Sequence, residues 1–268
     1  MKALPTLSGA LCAVLIAVMT SGTQTQVHGQ AARAPLAPSR QMIVVTTPDW
    51  NAVPGTLQRY ARRTRRSAWR PVGAAIPIVV GRSGLAWGAG LHGEPATLAQ
   101  GADPLKKEGD GKAPAGAFRL NAAFGYAPQR KAGHLKLPYI TSTATMQCVD
   151  DSQSAYYNRV VERARQKQPD WQSHEDMLRK DELYRWGVVV EHNAGGVFQS
   201  SVKAKSGGGS CIFLHIWSGP NSSTSGCTAM EAGLMEEVLR WLDVRQQPVL
   251  VQLPASEYAR LKAAWRLP

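Results

Sequence analysis

Alternating and continuous runs of apolar residues predict a chain built largely of β-strands, with loops rich in glycine and proline between them. The strand-like segments are 41–46, 76–80, 85–88, 117–120, 139–145, 187–192, 211–217 and 248–253. Helical spacing of apolar residues marks a second set, 54–66, 150–168, 171–185, 228–243 and 254–266. Strands and helices do not alternate regularly along the chain, so the pattern predicts a mainly β fold, largely antiparallel, with peripheral helices.

Two turn signals refine this prediction. Residues 81–84 (Gly-Arg-Ser-Gly) predict a hairpin between the strands at 76–80 and 85–88. Pro114 and Gly116 predict a turn just before the strand at 117–120.

The segment 211–230 joins a strand, a turn-rich loop and a helical pattern. Period-2 alternation gives its strand one wholly aliphatic face, which belongs in a core. The opposite face carries Cys211, Phe213, His215 and Trp217. This alternation therefore turns His215 away from the core, near the end of the strand.

Cys227 comes directly before the helix expected at 228–243. The positive end of a helix dipole lowers the pKa of a thiol, and a nearby imidazole lowers it further. A loop that folds back would bring His215 to Cys227, as an activated Cys–His nucleophile requires. The alternative is an inert buried thiol beside a histidine that is satisfied within the core.

The residues around this pair predict the rest of a site. Ser225 and Gly226 suit a tight turn before the thiol, and Trp217 would line the cleft. The first amides of the expected helix, at Cys227 and Thr228, could form an oxyanion hole. We find no metal-ligand spacing and no phosphate-binding loop, so we predict neither a metal nor another cofactor.

Residues 1–29 have the composition of a secretory signal peptide, with Lys2 as their only charge and an apolar run at 11–19 that is too short to span a bilayer. We therefore predict export, with residues 30–41 as a linker and 42–268 as the folded domain. After signal cleavage we expect no stable membrane insertion.

The cysteines fit an oxidising compartment. The exported chain would keep Cys148, Cys211 and Cys227, so at least one is free or pairs with another molecule. All three pairings are open. The most economical is a Cys148–Cys211 disulfide that leaves Cys227 as the reactive thiol.

The formal net charge of +12 favours an anionic environment such as cell-wall polymer or lipid headgroups. An arginine cluster lies at 59–66, but no nucleic-acid-binding motif accompanies it. We therefore predict a solvated basic face, no nucleic-acid partner, and a monomer.

Two motifs give the chain a resemblance to the L,D-transpeptidase (YkuD-like) family of bacterial cell-wall enzymes. One is Ser-Gly-Cys at 225–227 with His215 upstream on a strand. The other is Lys-Ala-Pro-Ala-Gly-Ala-Phe-Arg-Leu at 112–120, which resembles the family's Thr-Pro-x-Gly-x-Phe segment. Two departures stand out: the family often has histidine where Ser225 lies, and usually has a substrate-binding arginine where Ala229 lies. Gly-Cys-x-Ala-Met resembles a divergent branch that includes hydrolases.

The resemblance implies a β-sandwich-like fold with a helical insertion at about 148–186. It also implies a periplasmic enzyme in which Cys227, deprotonated by His215, attacks a peptidoglycan stem peptide and forms a thioester. An amine would then accept the acyl group in a transpeptidase, and water would accept it in a carboxypeptidase or in an amidase that releases protein from peptidoglycan. A non-catalytic wall-binding module is the alternative from another class.

Overall fold

The computed structural model describes Met1, residues 36–193 and residues 203–268. The predicted signal peptide at 1–29 lies outside the described residues, apart from Met1, as does the first part of the predicted linker. From Leu36 onward the linker prediction is wrong. Leu36 is buried, and the Arg62 guanidinium donates hydrogen bonds to three carbonyl groups within residues 36–39. The folded domain therefore includes residues 36–41.

Eleven strands of the described chain form one mixed sheet. In spatial order they are β4 (Leu85–Trp87), β5 (Ala113–Arg119), β14 (Val249–Pro254), β1 (Gln41–Thr47), β2 (Pro54–Ala61), β3 (Arg70–Val79), β13 (Thr228–Met230), β12 (Phe213–Ile216), β11 (Gly187–Val189), β6 (Ala123–Gly125) and β7 (Tyr139–Thr141). The pairs β1–β14, β12–β13, β4–β5 and β6–β7 are parallel. The mainly β prediction is confirmed, but the sheet is mixed rather than largely antiparallel.

A second, antiparallel sheet replaces the predicted helical insertion. It contains β8 (Met146–Val149), β9 (Arg159–Glu162) and β10 (His174–Asp176), with β8 in the centre. Between residues 148 and 186, all of them described, there is one 3₁₀ turn at Arg163–Arg165 and no α-helix. The prediction is wrong because Val160, which fits a helical spacing, lies opposite Cys148 in a short strand whose other positions are only half-buried.

The segment 54–66, for which the spacing predicts a helix, instead contains β2. Its inward positions are Leu57 and Arg59, two residues apart as a strand requires. The sequence pattern hides this alternation because one inward residue is an arginine. Arg59 is buried, forms an ion pair with Glu237 at 2.5 Å and lies over the Trp241 ring.

Residues 81–84 form the predicted turn, in which the Gly84 amide donates to the Gly81 carbonyl, but the predicted hairpin and the turn at Pro114 and Gly116 are wrong. Residues 81–84 do not close a hairpin, because β3 pairs with β2 and β13 whereas β4 pairs with β5. Pro114 and Gly116 lie inside β5. Pro114 has no amide hydrogen to donate, but the ladder between β5 and β14 begins only at Gly116, so no bond to β14 is lost. The Pro114 carbonyl accepts a hydrogen bond from the Gln252 side chain instead.

Three short α-helices are present in the described chain, α1 (Gln129–Ala132), α2 (Ala232–Trp241) and α3 (Ala255–Trp265). The C-terminal helix is confirmed. Helix α2 begins later than predicted, because the Glu231 side chain caps it by accepting a hydrogen bond from the Leu234 amide. In the parts of the chain that the structure covers, no helix has the length and apolarity needed to cross a bilayer.

Two apolar clusters hold the domain together. The larger includes the aliphatic face of the 211–217 segment, as predicted: Ile212, Leu214 and Ile216. The smaller joins the two sheets and consists of Phe124, Cys148, Val160, Met177, Tyr184, Val189, Cys211, Phe213 and Cys227. Within it, Cys148 and Cys211 form a disulfide, as the most economical pairing predicts.

Candidate active site

A cleft of about 640 Å³ opens where the small sheet meets the end of β12. Its walls contain residues from both sheets and from the loop after β12. They include Cys227, His215, Trp217, Tyr184, Glu175 and Arg179.

The parallel pairing of β12 with β13 directs the cysteine and the histidine into this cleft. His215 lies opposite Ala229 in the ladder, and Leu214 lies opposite Thr228. Because side chains alternate along a strand, Cys227 and Ala229 share the face of His215. Ala229 therefore lies beside the imidazole.

Cys227 is a free thiol with 6% of its surface exposed. Its Sγ donates to the Cys211 carbonyl at 3.4 Å and accepts a hydrogen bond from the Phe213 amide at 3.3 Å. Burial raises the pKa of Cys227 well above its usual value, and the nearby charge of Glu175 raises it further. The amide of Phe213 opposes these effects.

The predicted effect of a helix dipole on this thiol is therefore wrong. Cys227 leads into β13, and α2 begins only at Ala232. The dipole acts within the first turn of a helix, so it does not reach the sulfur strongly enough to offset burial. The resting group is a protonated thiol.

His215 is held by the backbone beside it. Its Nδ1 lies 2.7 Å from the carbonyl oxygen of Ile216. Since a carbonyl only accepts, Nδ1 carries the proton and Nε2 carries the lone pair of the neutral ring. Burial lowers the pKa of His215 to about 4, so the ring is neutral at neutral pH. Among the hydrogen bonds of the described residues, none joins His215 to Cys227.

Tyr184 and Glu175 are site residues that sequence reasoning missed. The Tyr184 hydroxyl donates to Glu175 Oε2 at 2.6 Å, and its ring packs edge-on against His215 with 5.1 Å between centroids. The Arg179 guanidinium lies over the Tyr184 ring and pairs with Asp181. No local signal marks these residues, because they lie in a polar segment whose spacing predicts a helix.

The other predicted site residues divide between the cleft and the core. Ser225, Gly226 and Trp217 line the cleft. Thr228 is buried on the opposite face, where its hydroxyl donates to Gln252 Oε1 at 2.7 Å. An oxyanion hole formed by these residues stays a prediction. The amides of Cys227 and Thr228, expected in a helix, instead lie directly before and at the start of β13.

The two motifs that carry the family resemblance meet in space. Gln252 Nε2 donates to the Pro114 carbonyl at 2.9 Å, so Gln252 connects Pro114 to Thr228. A Cβ atom at Gly226 would lie 3.1 Å from the Lys112 carbonyl oxygen. The 112–120 segment therefore supports the cysteine loop from behind.

His192, another buried histidine, is not among the residues that line the cleft. His192 is buried between backbone carbonyls of Ala89 and Gly208, and Phe118 packs edge-on against its ring. Across the described ranges, no three His, Cys, Asp or Glu side chains are grouped so that they could hold a metal.

Comparisons with known proteins give no assignment of a family or an activity. No protein-family model matches the chain, and a search of curated proteins finds no significant match. The resemblance to L,D-transpeptidases therefore rests on the two sequence motifs alone.

Proposed function

We propose that the protein is an exported, periplasmic cysteine enzyme that acts on peptidoglycan stem peptides as an L,D-transpeptidase. The observation that carries the proposal is that one cleft is lined by a free thiol, directly before β13, and by a backbone-anchored histidine on the adjacent parallel strand β12. On this proposal the mixed sheet corresponds to the β-sandwich-like core of that family.

The tautomer of His215 suits the role of general base. With its Nδ1 proton donated to Ile216, its Nε2 can accept the proton of the Cys227 thiol. Both groups are neutral at rest, so the proton moves when substrate fills the cleft and not before. The lack of a direct hydrogen bond between the two described side chains is compatible with this, because catalytic hydrogen bonds often tighten only when substrate binds.

The reaction would proceed in two steps. The sulfur of Cys227 bonds to the carbonyl carbon after the L-centre of diaminopimelate, and the bond to D-alanine breaks as its nitrogen takes the proton from His215. In the second step an amine attacks the thioester, passes its proton to His215, and the sulfur leaves and regains that proton. Water in place of the amine would give hydrolysis.

The disulfide and the free thiol support export. A bonded pair and one free thiol coexist in the same apolar cluster, and structural disulfides persist mainly outside the cytoplasm. The periplasm is the compartment where stem peptides are found, so the location and the proposed substrate agree.

Incubation of the purified protein with tetrapeptide muropeptides tests the proposal. Mass spectrometry is expected to show an acyl adduct on Cys227, loss of D-alanine, and exchange when a D-amino acid is added. Cys227→Ala should abolish all three, and His215→Asn should slow them by about 100-fold or more.

The products distinguish the alternatives. Loss of D-alanine or of an attached protein without exchange would identify a hydrolase of the same fold. Unchanged products with Cys227→Ala, or sacculus binding by the wild-type protein with no adduct at all, would overturn the enzyme proposal and favour a wall-binding module.

A further inference from the structure

The small sheet places a hydrogen-bonded tyrosine–glutamate pair against the proposed nucleophile. We propose that Tyr184 and Glu175 are positioning residues that control the ionisation of the Cys227 thiol, with Tyr184 stabilising the thiolate and Glu175 holding Tyr184 and opposing the thiolate charge. This inference rests on the proposed role of Cys227 as the reactive group.

The geometry puts the pair where it can act. Tyr184 is buried in the same apolar cluster as Cys227, and it packs edge-on against His215. Its hydroxyl is fixed by the 2.6 Å bond to Glu175 Oε2. Tyr184 therefore packs against His215 and lines the same cleft as Cys227.

The disulfide connects the strand that pairs with Glu175 to the segment that leads into β12. Glu175 lies on β10 directly opposite Cys148 of β8, and Cys148 is bonded to Cys211. The carbonyl of Cys211 accepts the hydrogen bond of the Cys227 thiol. One strand pairing, one disulfide and one hydrogen bond thus connect the backbone of Glu175 to the sulfur of Cys227.

The two partners act on the thiolate in opposite directions. The negative charge of Glu175 raises the pKa of Cys227, whereas the interaction with the Tyr184 hydroxyl lowers it. Lys106 also lowers the pKa of Cys227. Glu175 itself faces Asp150, Glu108 and Arg179 as well as Tyr184, and burial raises its pKa.

One hydroxyl proton serves both interactions. At rest Tyr184 donates it to Glu175. A hydroxyl has a single proton to donate, so Tyr184 can donate to the Cys227 thiolate only by leaving Glu175. The ionised carboxylate therefore competes with the thiolate for this proton as well as repelling its charge.

The test is the rate of Cys227 alkylation by iodoacetamide as a function of pH, with the modified residue located by peptide mapping and Cys227→Ser as the blank. Tyr184→Phe should move the midpoint up by about one pH unit, so that alkylation below the midpoint becomes about tenfold slower. Glu175→Gln should move the midpoint down by a similar amount. Tyr156→Phe, a hydroxyl removed from the same region, should leave the profile unchanged.

Opposite shifts separate this role from a merely structural one, because loosened packing would move both profiles in the same direction. Circular dichroism and thermal unfolding confirm that each variant is folded, and Glu175→Asp, which keeps the charge, should keep the midpoint near that of the wild type. Midpoints that stay equal, or shift in the same direction, would overturn the inference.

The alkylation test does not depend on whether the protein turns over a peptidoglycan substrate. Opposite shifts in a protein that releases no D-alanine would refute the proposed function and leave the control of the thiol standing. Normal release of D-alanine with unchanged alkylation midpoints would support the proposed function and refute the control of the thiol by Tyr184 and Glu175.

Discussion

The Thr228 hydroxyl donates a hydrogen bond to Gln252 Oε1, directly behind the proposed nucleophile. Gln252 is buried and also donates from Nε2 to the Pro114 carbonyl. This single side chain therefore connects β13, β14 and β5, and it ties the cysteine loop to the 112–120 segment. Because the Thr228 hydroxyl and the Pro114 carbonyl are both buried, each would lose this hydrogen bond without Gln252.

We expect Gln252→Ala to lower the free energy of unfolding by about 2–4 kcal/mol, since it leaves a cavity and two buried groups unsatisfied. Urea unfolding measures this, with Gln153→Ala, at an exposed position, as the control. A loss no larger than that of the control would contradict the connection between the two motifs.

The fold was predictable where side chains followed a clean alternation. The strand Phe213–Ile216 shows this, because alternation assigns Leu214 and Ile216 to the larger apolar cluster. The C-terminal helix was predictable from its helical spacing, which buries Leu261 and Trp265. The strand β2 was not predictable, because Arg59 takes an inward position and is neutralised there by Glu237 from a distant part of the chain. No local pattern reports such a partner.

Only those site residues that lie close together in the sequence were predictable. His215 and Cys227 lie on one short segment, and the odd number of cysteines pointed to a free thiol. Tyr184 and Glu175 reach the same cleft through β10 and a disulfide, which are properties of the tertiary structure. The thiol pKa was mispredicted because β13, three residues long, is too short for its period to be read.

Position 116 requires glycine for two reasons, its backbone conformation and the close approach of a neighbouring side chain. Its φ of +140° is one that side chains rarely adopt, and a Cβ atom there would lie 2.0 Å from His92 Cε1. Gly93 provides a matched control, since its φ is +90° but a Cβ atom placed on it would meet no other atom within 4 Å.

We expect Gly93→Ala to cost about 1–2 kcal/mol of unfolding free energy, from backbone strain alone. Gly116→Ala should cost about 3 kcal/mol more, or prevent folding, because the buried His92 must also move. Equal losses in the two variants, measured by urea unfolding, would show that the contact with His92 is not limiting.

The Cys148–Cys211 disulfide closes a loop with a sequence separation of 63 residues and holds the small sheet to the strand that carries His215. Removing it by a Cys148→Ser, Cys211→Ser double substitution should cost about 4 kcal/mol, by the entropy of the unfolded loop. Guanidinium unfolding measures the loss.

A matched experiment uses the reductant alone. Reduction should destabilise the wild type and Cys227→Ala equally, and should leave the double variant unchanged. An effect of the reductant that persists in the double variant would show that the disulfide is not its target.

Three buried histidines should make the protein acid-sensitive. Burial lowers the pKa of His192 and His215 to about 4, from the ordinary value of 6.5, and it also lowers the pKa of His92. Below pH 6.5 the unfolded chain therefore binds protons that the folded chain does not. The free energy of unfolding falls as pH falls from about 6.5 to 4, by up to about 3 kcal/mol for each of His192 and His215.

Urea unfolding at several pH values between 4 and 7 measures this slope. His192→Gln should flatten it in that window, because it removes one of the three shifted histidines and leaves the cleft unaltered. His134→Gln, at an exposed position, should keep the slope of the wild type. A slope of opposite sign, or one that His192→Gln leaves unchanged, would mean that His192 is already protonated between the carbonyls of Ala89 and Gly208, both of which can only accept.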